Sequence, residues 1–203
     1  VLVTGGAGFI GSNLIRELLK KNYNIVSLDN YSTGSKKNEL QGVQYINADI
    51  TNIDSLDKDF DLCFHLAAQS RVQPSFENPD ESFRVNVLGT TKVMEFAKDN
   101  NISVTYAGSS SRHHDPSDSP YAMYKYLGEQ VCKLYKKSFD VNVQIARFYN
   151  VYGPGESIDE KYGNVIGIWR AKVLKGEPLP IVGDGKQKRE NTPFEPANEF
   201  VRS

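Results

Sequence analysis

Thr4-Gly5-Gly6-Ala7-Gly8-Phe9-Ile10-Gly11 separates a short apolar run, Val1 to Val3, from a longer stretch, Phe9 to Lys21. In that stretch Ile10, Leu14 and Leu18 recur at helical spacing, with Ile15 and Leu19 beside them, so a helix follows a buried strand. Glycine at 5 permits a tight turn, glycine at 8 lets the backbone come close to a pyrophosphate, and glycine at 11 lets the helix approach the strand. The helix N-terminus then presents N–H groups and a partial positive charge where phosphates lie. Glycine spacing alone is weak evidence. It gains force because a second strand, Asn24 to Leu28, runs straight into Asp29, 18 residues past Gly11. A carboxylate there accepts hydrogen bonds from both adenosine ribose hydroxyls and repels a 2′-phosphate, which favours NAD over NADP.

Short apolar runs and longer helical stretches keep alternating along the chain, the pattern of βαβ units and a parallel sheet. Further strands are expected at Val43 to Ile46, Leu62 to Leu66, Ile102 to Ala107 and Val141 to Ala146. Helices are expected at Glu81 to Lys98, Tyr121 to Lys137 and Val165 to Leu174, with Leu127, Val131 and Leu134 facing the core from the second of these. Ser32 to Asn38 and Arg112 to Pro120 read as loops, and no internal repeat is visible. The 203 residues suit one domain with a small appendage, and 39% hydrophobic with 24% charged residues excludes wholesale disorder. With 24 Lys and Arg against 25 Asp and Glu, a basic nucleic-acid surface is not the main business of the protein. No apolar run approaches the roughly 18 residues of a membrane-spanning helix, so no membrane partner is expected. Cys63 and Cys132 sit in apolar settings and read as small core residues, which points to a reducing cytoplasm. No basic leader precedes Val1, and the missing initial Met suggests that N-terminal residues are absent.

Tyr121 and Lys125 stand four apart at the start of a helix, so both side chains emerge on one face. A free tyrosine titrates near pH 10, and lowering it by three units takes roughly 4 kcal/mol of preferential phenolate stabilisation. An ammonium and an oxidised nicotinamide ring are suitable contributors. Ser109-Ser110-Ser111 lies just past a strand end, at the edge of a parallel sheet where ligands bind. His113 and His114 adjoin Asp115, but consecutive histidines point apart and no third spaced ligand is evident, so no metal site is expected. His65, in an apolar strand, reads as a hydrogen-bonded core histidine.

The opening turn, Asp29-Asn30, His65-Leu66-Ala67-Ala68, Asn86 with Gly89-Thr90, the serine run, Tyr121 with Lys125, and Arg147-Phe148-Tyr149-Asn150 occur in that order. Together they closely resemble the NAD-dependent nucleotide-sugar epimerase/dehydratase family of extended short-chain dehydrogenases/reductases, over about residues 1 to 190. The resemblance implies an α/β fold: a Rossmann-type doubly wound parallel sheet over residues 1–153, then a small C-terminal substrate lobe over 154–203, here truncated. It assigns Gly5, Gly8, Phe9, Ile10 and Gly11 to the pyrophosphate, Asp29 and Asn30 to the ribose, and Asp49 and Ile50 to the flanks of adenine. Leu66, Ala67 and Ala68 would lie along the cofactor, with Asn86 behind them. Tyr121 becomes the catalytic base and Lys125 its partner, also holding the nicotinamide ribose, while Ser109 is the catalytic serine and Ser110 the alternative. Asn150, Asn164 and Arg189 match contacts to the sugar-nucleotide diphosphate, and a homodimer would pair the helices at Glu81 to Lys98 and Tyr121 to Lys137.

The chain departs from the family pattern in three places. Arg112-His113-His114 replaces the usual Val-Tyr-Gly, Tyr121 follows Ser109 by only 12 residues, and the pattern is lost after Arg189. Much of the sugar-binding lobe is therefore expected to be missing. Three activities compete: epimerisation of a nucleotide sugar at C4 through a 4-keto intermediate, a related lyase reaction (dehydratase or decarboxylase), and an inactive dinucleotide-binding module. Family dehydratases carry an Asp-Glu pair where this chain has Ser110 and Ser111, which removes the acid and base for dehydration. A module that only bound dinucleotide would need no serine, tyrosine and lysine together, so the epimerase reading leads.

Overall fold

In a computed structural model that describes residues 1–56, 59–113, 115–157, 163–181, 183–186 and 191–193, the chain divides into two units, Val1–Arg147 and Phe148–Ser203. The first is built on six strands: β1 (Leu2–Thr4), β2 (Ile25–Asp29), β3 (Val43–Asn47), β4 (Leu62–His65), β5 (Ser103–Ser109) and β6 (Val143–Phe148). Their order across the sheet is β3-β2-β1-β4-β5-β6, and β1 runs parallel to both β2 and β4. Strand order therefore reverses between β1 and β4, and a ligand crevice opens at the carboxyl ends of that pair.

Period-two alternation sends successive residues to opposite faces. Leu2, Cys63, Val104 and Tyr106 pack with Val93, Met94 and Phe96 of α4 (Thr90–Asp99) and with Cys132 and Tyr135 of α5 (Pro120–Ser138). Val3 and Phe64 instead meet Leu14, Ile15 and Leu18 of α1 (Phe9–Lys20). Both faces of the sheet are thus covered, as its apolar strands require. The two cysteines are free and buried. Among the described residues no helix is long and apolar enough to cross a membrane.

The sheet and its main helices follow the sequence reading, and the differences have local causes. The helix expected over Glu81 to Lys98 is α3 (Pro79–Phe83), a π-helical turn at Arg84–Gly89, and then α4. Thr90 and Thr91 return their hydroxyls to the carbonyls of Asn86 and Val87 at 2.8 and 2.9 Å, a back-bonding that distorts a helix. Gly89 rests so closely on the 3-10 turn Ile50–Ser55 that a Cβ there would lie 2.6 Å from the Ile50 side chain. A further helix, α2 (Val72–Glu77), is too short to show a period in sequence. Leu134 is 53% exposed instead of facing the core. The buried face of α5 is Ala122, Lys125, Gly128, Glu129, Cys132 and Tyr135, a set that includes two charges and is invisible to apolar counting.

In the second unit β7 (Asn150–Tyr152) pairs in parallel with β8 (Asn191–Pro193), and α6 (Val165–Lys175) ends at Gly176 in the left-handed conformation. In the first unit, α5 crosses at Gly128 so closely that an added Cβ would sit 2.4 Å from the Tyr106 hydroxyl and 3.1 Å from the Asn86 carbonyl oxygen. Gly128→Ala is expected to cost about 1–3 kcal/mol by overpacking, read as a lower urea midpoint with the slope unchanged.

Candidate active site

The glycine turn is shaped by backbone crowding. Gly5 has φ +73°, and a Cβ on it would lie 2.7 Å from the Ala67 nitrogen. At Gly11 the Cβ would lie 2.2 Å from the Gly5 carbonyl oxygen, so glycine there seats α1 on the turn itself. Gly8 is the extended residue from which α1 starts, and the first turn, with Phe9, Ile10 and Gly11, carries neither a side-chain cap nor an acidic residue. Such a helix start is suited to an anionic ligand.

Asp29 closes the turn from β2. Its Oδ2 accepts from Ala7 N at 2.9 Å and its Oδ1 from Tyr31 N at 2.8 Å. Burial raises its pKa, and the two amide donors work against that rise. Each oxygen retains a second acceptor site for a ribose hydroxyl. Asn30 donates to Asp49 Oδ2 at 3.0 Å, and Asp49 also takes two hydrogen bonds from Arg84 at 2.7 and 2.9 Å. That guanidinium holds Asp49 well below the usual carboxylate range. Ile50 is buried against Gly89, so Asp49 and Ile50 form a fixed wall. Nothing in the spacing of Asp49 and Arg84 signals this pairing in the sequence.

The segment Leu66, Ala67 and Ala68 is braced from both sides. Leu66 N donates to the Thr4 carbonyl at 3.1 Å and Ala67 N to Thr4 Oγ1 at 3.2 Å. Asn86 accepts from Gln69 N at 2.9 Å and donates to Gln69 O at 3.0 Å. His65 bridges Thr4 Oγ1 at 2.8 Å and Thr90 Oγ1 at 3.1 Å, and burial lowers its pKa to about 3, which keeps it neutral. It is a structural histidine.

Ser109 ends β5 and is 8% exposed. The Tyr121 hydroxyl lies 3.4 Å from Ser109 Oγ, and Ser111 donates to the same oxygen from its hydroxyl at 2.9 Å and its amide at 3.2 Å. Tyr121 is thus paired with Ser109, whereas Ser110 starts the 3-10 turn Ser110–His113. Burial raises the Tyr121 pKa, opposed by the Ser109 hydrogen bond and by the charge of Arg71. The sequence suggests Lys125 as the cation acting on the phenol. In the structure Lys125 Nζ donates to the Ala107 carbonyl at 2.6 Å and lies 4.5 Å from the centre of the Tyr106 ring. Burial lowers its pKa to about 8. One turn on, Glu129 accepts two hydrogen bonds from Arg147, at 3.1 and 2.9 Å. Arg71, Arg84 and Glu129 went unnoticed in the sequence; only Arg71 had a signal, a charge in the loop after a strand end.

Asn150 opens β7, and Asn164 caps α6 by accepting from Gly167 N at 2.8 Å while donating to Val151 O at 2.7 Å. Arg189 and His114 lie outside the described residues.

A reversed-order parallel sheet, a glycine turn that no Cβ fits and an acid ending β2 define a Rossmann-type dinucleotide-binding unit, with a serine–tyrosine pair at its carboxyl edge. The model of the NAD dependent epimerase/dehydratase family matches residues 1–192, and the chain belongs to this family. NAD is its cofactor, and the cradle around Gly5, Gly11 and Asp29 fits it. A putative UDP-glucose 4-epimerase of Methanocaldococcus jannaschii is 38% identical over 94% of this chain and 68% of its own length. UDP-glucuronic acid decarboxylase 4 of Arabidopsis thaliana is 31% identical over 93% of this chain, which spans about half (47%) of that enzyme. The Bordetella bronchiseptica enzyme WbmF, solved in complex with NAD+, superposes with a TM-score of 0.86 at 32% identity, covering 95% of this chain and 64% of that one.

Two outcomes follow from the geometry. Asp29→Asn should narrow the preference for NAD over NADP in titration calorimetry, because the charge that repels a 2′-phosphate is gone. Lys125 has a folded-state pKa of about 8 against 10.5 for an unperturbed lysine. The unfolded chain therefore binds more protons between those values, and stability rises with pH there. Relative to Lys125→Met, the wild type should gain up to about 3 kcal/mol between pH 7 and pH 11, measured by denaturant unfolding at each pH.

Proposed function

We propose that the protein epimerises a nucleotide-diphosphate sugar at C4 through a 4-keto intermediate. The observation that carries this reading is the Tyr121–Ser109 hydroxyl pair at 3.4 Å, set at the carboxyl end of β5. Tyr121 as phenolate removes the O4 proton, and Ser109 hydrogen-bonds the same oxygen as it becomes a carbonyl. Lys125, whose Nζ donates to the Ala107 carbonyl, holds the nicotinamide ribose in this reading. Gly5, Gly8, Phe9, Ile10 and Gly11 hold the pyrophosphate, Asp29 and Asn30 the adenosine ribose, and Asp49 and Ile50 the adenine, while Leu66, Ala67 and Ala68 lie along the cofactor with Asn86 behind them. Bound NAD supplies a reversible hydride acceptor. Inversion requires the keto sugar to turn before it is reduced, and Asn150, Asn164 and Arg189 keep the diphosphate anchored meanwhile.

Free Tyr121 is protonated at neutral pH, because its burial outweighs the Ser109 hydrogen bond and the Arg71 charge. Ligand binding must therefore supply the remaining bias toward phenolate. A lyase reaction is the second reading, favoured by the plant decarboxylase relative. The serines at 110 and 111 count against dehydration in particular. Exposed Leu88, Tyr126 and Leu134, on the π turn and α5, support a homodimer joined through those helices. The free buried cysteines suit a cytoplasmic setting.

Incubation with UDP- and GDP-sugars, followed by NMR, should give epimers without added NADH. Tyr121→Phe should slow this at least a hundredfold, since general acid–base steps contribute roughly 10²–10⁴-fold. A 4-keto-6-deoxy product, or loss of carbon dioxide, would establish the lyase instead. Light scattering at micromolar concentration should return twice the monomer mass.

A further inference from the structure

Arg71 is left over from the chemistry described so far. It lies in the loop beyond β4, in extended backbone (φ −131°, ψ 143°), as the residue from which α2 starts. That helix is docked on the start of α5, where Tyr121 N donates to Ser75 Oγ at 3.0 Å. The backbone at Arg71 is thereby held beside Tyr121, and the two side chains act on each other electrostatically. Yet Arg71 Nε is buried without a hydrogen-bond partner. Among the described residues no carboxylate pairs with this guanidinium, unlike Arg84 with Asp49 and Glu81 or Arg147 with Glu129. A buried cationic donor left unpaired is costly, and an arriving anion removes that cost most fully because it supplies both acceptor and countercharge.

We infer that Arg71 is a specificity residue that receives the carboxylate of a nucleotide-linked hexuronate. The inference rests on the proposed placing of the sugar with its C4 hydroxyl at Tyr121. In a pyranose the diphosphate is attached at C1, across the ring from C4, so it lies far from a cation beside Tyr121. The cofactor's pyrophosphate belongs at the uncapped first turn of α1, after a different strand. Of the two ring carbons next to C4, C3 carries a hydroxyl, while C5 in a hexuronate carries the C6 carboxylate. That group alone brings an anion to the neighbourhood of the reacting oxygen. A guanidinium presents parallel donors that match a carboxylate edge-on, and a partly desolvated setting strengthens the pairing. A neutral hexose offers a hydroxymethyl group there, a single uncharged acceptor that cannot form the charge-assisted, two-oxygen pair.

The test is equilibrium binding of UDP-glucuronate and UDP-glucose to the NAD-loaded protein by titration calorimetry, in a Tyr121→Phe background that stops turnover. UDP-glucuronate should bind about 10- to 100-fold more tightly, the range expected for a charge-assisted pair. Arg71→Gln should abolish the difference by weakening the uronate alone, and Arg71→Lys should keep part of it. The comparison of the two sugars needs no change at Arg71, so it stands even if a variant folds poorly. Equal affinities would overturn the inference. So would an Arg71→Gln loss of the same size for both ligands, which would assign the guanidinium to the diphosphate. If UDP-glucose is bound and epimerised by the protein with Tyr121 intact while the uronate is ignored, Arg71 alone is misassigned. If neither ligand binds, the nucleotide-sugar reading falls with it.

Discussion

The approach of Gly5 to the backbone of Ala67 is the contact on which the rest of the site depends. With 2.7 Å between a notional Cβ and the Ala67 nitrogen, only glycine lets the turn after β1 and the segment after β4 come together. The gap they leave at the reversal of strand order is then lined with backbone. Hydrogen bonds fix it: Thr4 Oγ1 meets Ala67 N and His65, His65 meets Thr90, and Thr90 donates to the Asn86 carbonyl. Asn86 completes the circuit by clamping Gln69 through both polar atoms of its side chain. A satisfied buried network of this kind rigidifies one arrangement. Arg71 is two residues beyond that clamp, so its position is inherited from the same circuit.

A second constraint runs along α5. A helix packed only for stability would turn aliphatic side chains to the sheet, but this one buries Lys125 and Glu129 and leaves Leu134 in solvent. Glu129 is neutralised by Arg147 from β6, whereas Lys125 rests on a carbonyl and an aromatic face and loses basicity to burial, which outweighs the nearby Glu129 charge. Stability is given up to hold a cation inside the fold, an exchange of the kind made at active sites. Gly108 and Gly128 make the arrangement possible, because a Cβ at either would meet Glu129 or the Tyr106 hydroxyl.

Features set by local sequence were the legible ones. The strand, turn and helix over residues 1–20 announce themselves because glycine is obligatory there and the apolar period is clean. Asp29 is legible for the same reason, standing where its strand ends. The π turn at Arg84–Gly89 was not, because it arises from the contact of Gly89 with Ile50 and the hydroxyls of Thr90 and Thr91, partners that periodicity does not encode. Nor was the pairing of β7 with β8, whose strands are three residues each and far apart in sequence. The serine–tyrosine pair was legible by resemblance, whereas the charge of Arg71 acting on the phenol was not. Helical spacing placed Lys125 on the correct face but says nothing of the Ala107 carbonyl that takes its proton-bearing end.

Burial acts on the three groups around the reacting position in one sense: it raises Tyr121 and lowers both Lys125 and Arg71, so each is pushed toward its neutral form. Arg71 is the cation that favours the phenolate in the free protein, and an anionic substrate on that guanidinium would cancel its field. Proton removal would then rely on the positive charge that an oxidised nicotinamide would supply when bound. In such a site the substrate's own charge would oppose the base, so a hexuronate would gain in binding at Arg71 what it costs in proton removal at Tyr121.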